Sequence, residues 1–390
     1  MAHGALSTAD WIGTVDRLGG PEMLAAEARE SGAFLRPREV KTAVDLLRLV
    51  LGYCLGHVGL RLTAAWSEGI GLASLSNVAL LGRLRNCVPW LEKIVARLLA
   101  EAAQAEAARR ADAGLPCADA APPRLIRLVD ATTVIKPGRF AHENSQLWRI
   151  HAVYNLPSEQ FSAFEITDEK GAERINRVAV IPGEIRIADR IHCRADDLGQ
   201  VIEQGADIVV RASWRSARWL DQRGRGLDII GELTTNTTGR IDRAVWLGRS
   251  GKATALALRL VAVRMPKEQA VKAVADARAE AKKKQRQIQP GTLIAAEWVI
   301  LVTTLPANDY SADRVLELYR LRWRIEIAFK RLKSLVGLKG PPGKCVVVAK
   351  AWVLCHLIAV LLTEAQFAAF GASPRLAPEH DPIYGAPSAC

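Results

Sequence analysis

Residues 312–335 read ADRVLELYRLRWRIEIAFKRLKSL, and their spacing predicts one long helix. At about 100° per residue, Leu321, Ile325, Ala328, Phe329, Leu332 and Leu335 share an apolar face. Tyr319, Arg322, Glu326 and Lys333 fall in a neighbouring stripe about 60° wide. A helix apolar along one side packs on a sheet. Here the next face sets one carboxylate among cations. The window from Arg314 to Lys350 holds ten basic and two acidic residues, most of the +12 net charge of the 390-residue chain. A basic surplus so localised favours a polyanionic partner. The alternative is a solvated face on which Glu326 pairs with Arg322 or Lys330, both within helical reach.

Upstream, the texture turns strand-like at residue 124. The runs 124–129 (RLIRLV), 147–154 (LWRIHAVY) and 161–167 (FSAFEIT) are followed by 184–188 (EIRIA) and 206–212 (ADIVVRA), with a helix expected at 196–204. That order predicts a mixed α/β sheet. Asp130 follows the first run and Asp189 the fourth. A carboxylate at the end of a buried strand needs a partner or a metal. Two such aspartates and a helix glutamate offer the oxygen ligands that Mg²⁺ prefers. Two ions roughly 3.5–4 Å apart would clamp an in-line phosphoryl displacement. Each aspartate alone reads first as a helix cap, a turn or a surface pair; the metal reading rests on three candidates coinciding with a localised basic face.

Around this core the chain divides by composition. Residues 1–122 read as an α-helical N-terminal domain and linker, with helices at 40–51, 60–68 and 75–85, the last capped by Ser74 or Ser76. The pair joined by Gly69-Ile-Gly71 is similar to a helix-turn-helix carrying Asn77, Arg83 and Arg85, although thirteen basic and eleven acidic residues in 1–110 give that region little net charge. Residues 123–212 and 293–370 form the core, with a strand expected at 293–303 and a helix at 346–370. Between them, 213–292 is a β-rich insertion with a charged helix at 270–287, and 371–390 is a loose tail. The apolar run Val346–Thr363 contains Lys350 and His356, so a buried core helix is expected rather than a membrane span. Seven scattered cysteines without a CxxC fit a reducing cytosol and no zinc site, and the N-terminus lacks a secretory pattern. Neither glycine-lysine stretch has P-loop spacing, and HExxH and GxSxG are missing.

The spacing Tyr319-x2-Arg322-x3-Glu326-x6-Lys333 resembles in full the signature of bacterial DDE transposases of the insertion-sequence-four type. LVDATTV around Asp130 and EWVILVTTLP at 297–306 are similar to that family too. The resemblance covers about residues 40 to 365. It implies a ribonuclease H-like catalytic core with a β-rich insertion before the catalytic glutamate. It maps the metal triad to Asp130, Asp189 and Glu326, with Mg²⁺ as cofactor and Mn²⁺ able to substitute. It maps Tyr319, Arg322 and Lys333 to contacts with the DNA end, chiefly phosphates, and Trp298 to a tryptophan that stacks on a flipped base. Ordinary strand packing is the other reading of Trp298. Lys330 and Arg211 are further DNA-contact candidates. After Asp189 this chain has Arg190-Ile191-His192 where the family usually has Gly or Ala and then an aromatic, so Asp196, Asp197 and Asp207 compete with Asp189 for the second ligand position. The implied activity is cleavage at the element's ends and strand transfer into target DNA, cut-and-paste, with a hairpin intermediate if the family pattern holds. The implied partner is double-stranded DNA, bound as a homodimer, in the cytoplasm on the nucleoid and away from membranes. The rivals are a catalytically defective derivative acting as repressor or inhibitor, and a structure-specific nuclease on the same fold.

Overall fold

Thr42 opens the first strongly apolar helix with a capping box. Its Oγ1 accepts the Asp45 N–H at 3.0 Å, and Asp45 Oδ2 accepts the Thr42 N–H at 3.1 Å. Of the two candidate serines further on, Ser76 is the cap, accepting the Ala79 N–H at 3.1 Å. In the computed structural model, which describes residues 8–113, 124–136, 147–168, 170–215, 217–250, 254–338, 340–343 and 345–369, six helices lead the chain. They are α1 (Thr8–Arg17), α2 (Gly20–Glu30), α3 (Ala43–Leu55), α4 (Leu60–Gly69), α5 (Asn77–Asn86) and α6 (Val88–Ala113). The expected linker at the end of the 1–122 segment, from residue 114 on, and the tail at 371–390 lie outside the described residues.

A run of strands follows: β1 (Ile126–Ile135), β2 (Leu147–Asn155), β3 (Gln160–Asp168) and β4 (Ile185–Ala188). Then come α7 (Ala195–Glu203), β5 (Asp207–Arg211), β6 (Arg218–Leu220), α8 (Ile229–Thr235), β7 (Arg240–Gly248), β8 (Leu256–Arg264), α9 (Lys267–Lys283), α10 (Pro290–Ala296) and β9 (Trp298–Thr303). The described chain closes with α11 (Ala312–Arg320), α12 (Trp323–Ser334) and α13 (Val346–Ala369). All nine strands form one mixed sheet in the order β3-β2-β1-β4-β5-β9-β8-β7-β6. β1, β4 and β5 are mutually parallel, and the other neighbours are antiparallel. The strands between 213 and 292 therefore extend the core sheet, because β8 pairs with β9.

Three expectations are corrected. Asp130 does not end its strand: β1 continues through the β-branched Thr132, Thr133 and Val134, paired with β2 as far as Ile135↔Leu147. The strand expected from 293 starts at Trp298, because Pro290, with its φ preset for a helix, opens α10 just before it. The single long helix is two. At the junction Leu321, Arg322, Arg324 and Ile325 each donate to the carbonyl three residues back, at 3.0–3.2 Å, so the chain is overwound there.

The sheet carries a core on each face, as strand alternation requires. Leu128, Ile187 and Val209 face one core together with α1–α6 and α11–α13. Val129, Ala188, Val210 and Trp298 face the other. α13 packs against α3, α5 and α6, and most of its apolar stretch is buried there. The described cysteines, Cys54, Cys87, Cys193, Cys345 and Cys355, are not joined in disulfides.

Candidate active site

Register brings the first site residues together. β1 and β4 run parallel with Val129 opposite Ala188, and β4 and β5 with Ala188 opposite Val210. One residue further along each strand stand Asp130, Asp189 and Arg211. The period of two puts all three on the face that α11–α13 cover. Arg322, at the overwound junction between α11 and α12, then closes the site. Its Nη1 lies 3.4 Å from Asp130 Oδ2, and its Nη2 donates to Glu326. One guanidinium thus spans two carboxylates almost two hundred positions apart in the chain. Asp130 Oδ1 accepts the Ala131 N–H at 2.8 Å.

The charges are tightly coupled. Burial pushes the Asp130 carboxyl up to about 7; Arg322 and the Ala131 N–H oppose this, and Asp189 and Glu173 add to it. Burial works against the charge on Arg322, but Tyr319, Glu326, Asp130 and Asp189 outweigh it and hold the guanidinium charged. Tyr319 is 5% exposed, and its hydroxyl lies beside the Arg322 guanidinium. Burial raises it to about 12, with Arg322 and Arg211 nearby.

The other expected residues sort by position. Arg211, Trp298, Tyr319, Arg322, Glu326 and Asp189 line one cleft. Trp298 is only 1% exposed, belongs to the core on the opposite sheet face, and has the Arg264 guanidinium 4.9 Å from its ring centre. Lys330 is exposed on α12. Lys333 is half-buried two turns beyond Glu326, about 10 Å along the axis, and burial lowers its pKa. The competitors of Asp189 lie with other partners. Asp207 pairs with Arg124 at 2.6 Å, Asp197 with Arg174 at 3.5 Å, and Asp196 with Arg249 at 3.6 Å.

Two residues at the site carried no sequence signal that singled them out. Glu173 comes from the loop between β3 and β4, and His192 from the short 3₁₀ turn Arg190–His192 that Asp189 begins. Their ligating atoms and a carboxylate oxygen of Asp130 lie within 4.8 Å of one another. His192 is 1% exposed, and neither ring nitrogen has a hydrogen-bond partner among the described residues. Burial lowers its pKa to about 4. A buried polar group left unpartnered costs about 1–3 kcal/mol.

Carboxylates brought together by neighbouring parallel strands, with cations in the same cleft, make a site of the kind that metal-dependent enzymes use on phosphate esters. The comparison with known proteins narrows this. The model of the "Transposase DDE domain" matches residues 121–362. The chain is 40% identical over 360 residues to the putative transposase for insertion sequence element IS186A of Escherichia coli K12, covering 91% of this chain and 93% of the relative. It is also 40% identical over 361 residues to the transposase for insertion sequence element IS421 of Escherichia coli, covering 91% and 93%. To the transposase for insertion sequence element IS231F of Bacillus thuringiensis subsp. israelensis it is 24% identical over 267 residues, 61% of this chain and 54% of the relative. The chain belongs to the DDE transposase family of insertion sequences, enzymes that cleave DNA and transfer its strands. A divalent metal is implied by that domain, and the residues fit one. Asp130, Asp189 and Glu173 push on one another electrostatically, one arginine spans Asp130 and Glu326, and an imidazole beside them is unsatisfied.

Proposed function

We propose that this chain is a cut-and-paste transposase of the insertion-sequence-four type, which cleaves the ends of its own element and joins them to target DNA. The observation that carries the reading is the Arg322 guanidinium spanning Asp130 and Glu326, next to Asp189. Asp130, Asp189 and Glu326 would hold Mg²⁺, with Mn²⁺ able to substitute. When bound, the metal supplies Lewis-acid stabilisation of the phosphoryl charge and a more acidic water. The chain's own residues do the rest. Arg322, whose carboxylate partners take up metal, becomes available to a phosphate. Arg211 and Tyr319 face the same cleft, and Lys333 and Lys330 extend the cationic track along α12. These groups position the scissile phosphodiester and neutralise its charge. Water oxygen bonds to phosphorus, the bond to the 3′ oxygen breaks, and a 3′-hydroxyl remains. That hydroxyl then bonds to the phosphorus of a target phosphodiester as the bond to the target's own 3′ oxygen breaks, so no covalent enzyme intermediate is needed. Second-strand cleavage proceeds through a hairpin.

The order β3-β2-β1-β4-β5, with β1 parallel to β4 and β4 to β5, supports a ribonuclease H-like core at 123–212 and 293–370, interrupted by the insertion 213–292, which carries β6–β8 together with α8 and α9. The helices within 1–122 bind the element's end, a homodimer assembles on double-stranded DNA, and the work is done on the nucleoid in the cytoplasm. Trp298 would meet a flipped base only after Arg264 leaves its ring.

The test is incubation with Mg²⁺ and a DNA fragment carrying the ends that flank the gene, in parallel with Glu326→Gln. Nicking at those ends by the wild type alone is expected. Binding of the ends by both proteins without cleavage by either would refute the catalytic reading.

A further inference from the structure

Beside the carboxylate trio lies a second ligand set that contains nitrogen. We propose that Asp130, Glu173 and His192 form a divalent-cation site that takes a borderline transition ion such as Mn²⁺ in preference to Mg²⁺ and holds it before DNA binds. It shares Asp130 with the trio and otherwise stands apart from the transposase reading.

Three observations carry it. First, one ligating atom from each residue lies within 4.8 Å of the other two. Ligands about 2.2 Å from a common ion stand roughly 3–4.4 Å apart, so a small contraction completes the site. Second, His192 is 1% exposed and neither ring nitrogen meets a hydrogen-bond partner among the described residues. A buried imidazole normally finds a carbonyl, a carboxylate or a metal. This one lies within reach of two carboxylates and bonds to neither.

Third, the loop that carries Glu173 is held in place from two sides. Arg186 on β4, fully buried, donates to the carbonyls of Ile175 at 2.6 Å, Val178 at 3.0 Å and Ala179 at 2.5 Å. Arg149 on β2 donates to Gly171 at 2.6 Å and pairs with Glu173 at 3.1 Å. So much buried donor capacity spent on one loop keeps the Glu173 carboxylate beside Asp130, and a ligand already in place loses little freedom when the ion arrives. The ligand chemistry sets the preference. Mg²⁺ selects oxygen ligands in near-ideal octahedral order, whereas imidazole suits first-row transition ions.

The probe is Mn²⁺ alone, titrated into the full-length, DNA-free protein and followed by electron paramagnetic resonance, with Mg²⁺ as competitor. Binding of Mn²⁺ at least about tenfold tighter than Mg²⁺ is expected, with a ¹⁴N coupling in the spin-echo spectrum. Glu173→Gln is expected to weaken binding at least about tenfold, and His192→Asn to remove the nitrogen coupling. Glu326→Gln leaves the nitrogen coupling in place, because Glu326 is not a ligand of this set. If His192→Asn does not fold, Glu173→Gln decides. Absence of bound Mn²⁺, or binding without nitrogen coupling that Glu173→Gln leaves unchanged, overturns the site. Metal-dependent end cleavage by a protein that shows no such coupling would leave the transposase reading intact while this proposal falls. Nitrogen-coupled Mn²⁺ in a protein that binds the ends and never cuts them would mean the reverse.

Discussion

Arg322 connects the fold to the chemistry, because the carboxylates it neutralises are the ones proposed to hold metal. Glu326 was legible in the sequence for a simple reason: helical spacing set it alone among cations. Glu173 and His192 were not, because a loop and a 3₁₀ turn have no period to read. Trp298 was legible as a strand residue, but which sheet face it joins depends on register. Its burial predicts that Trp298→Ala destabilises the fold by about 3–5 kcal/mol, the usual cost of emptying a core tryptophan. Urea unfolding measures this, and a change near zero would show that the ring contributes little to the core. Lys333 is predicted to touch phosphate and no base. Lys333→Ala should then weaken binding of specific and scrambled DNA alike, and lower the slope of log K against log salt by about one. An unchanged slope in a binding assay at graded salt would remove Lys333 from the contact set.

Elements place these residues, and here the sequence was clear about strands and less so about their ends. The runs RLIRLV, EIRIA and ADIVVRA gave β1, β4 and β5, but the register that aligns Asp130 with Asp189 and Arg211 is a pairing property that a single strand does not carry. The overwound junction between α11 and α12 was equally hidden, since no proline or glycine marks it. One contact between elements gives a pH prediction. Glu364 on α13 accepts the Phe161 N–H of β3 at 2.8 Å, and burial raises its pKa from the ordinary 4.5 to about 8. The folded state therefore holds this proton more tightly than the unfolded chain does. The stability it contributes is full below about 4.5 and is lost as pH rises to about 8. Glu364→Gln, which stays neutral and keeps an acceptor, should match the wild type at pH 5 and melt at a higher temperature at pH 9. Parallel melting curves at both pH values would show that Glu364 is ionised throughout.

At the scale of the whole molecule, the N-terminal helices and the sheet are bound by shared packing. Residues of α2, α3, α5 and α6 enter the same core as Leu128, Ile187 and Val209 of the sheet. α13 is the link: Trp352, Cys355 and Ile358 are buried, and the helix packs on α3, α5 and α6 on one side and meets β3 on the other. That arrangement explains why a stretch apolar enough to suggest a membrane span sits inside the fold: its partners are the helices of the first hundred residues. It also places the first hundred residues in one core with the sheet that carries Asp130. The physical consequence is that the two parts do not separate cleanly. A fragment beginning at residue 124 would expose to water the apolar face of α13 that packs on α3, α5 and α6, a contiguous patch of the kind that drives association. Expressed alone, it is predicted to aggregate or elute as large oligomers in size-exclusion chromatography. Co-expression with residues 1–113 should restore a soluble complex by covering that face. A monomeric fragment from 124 that melts cooperatively would show instead that the sheet and α13 form a core without the helices before them.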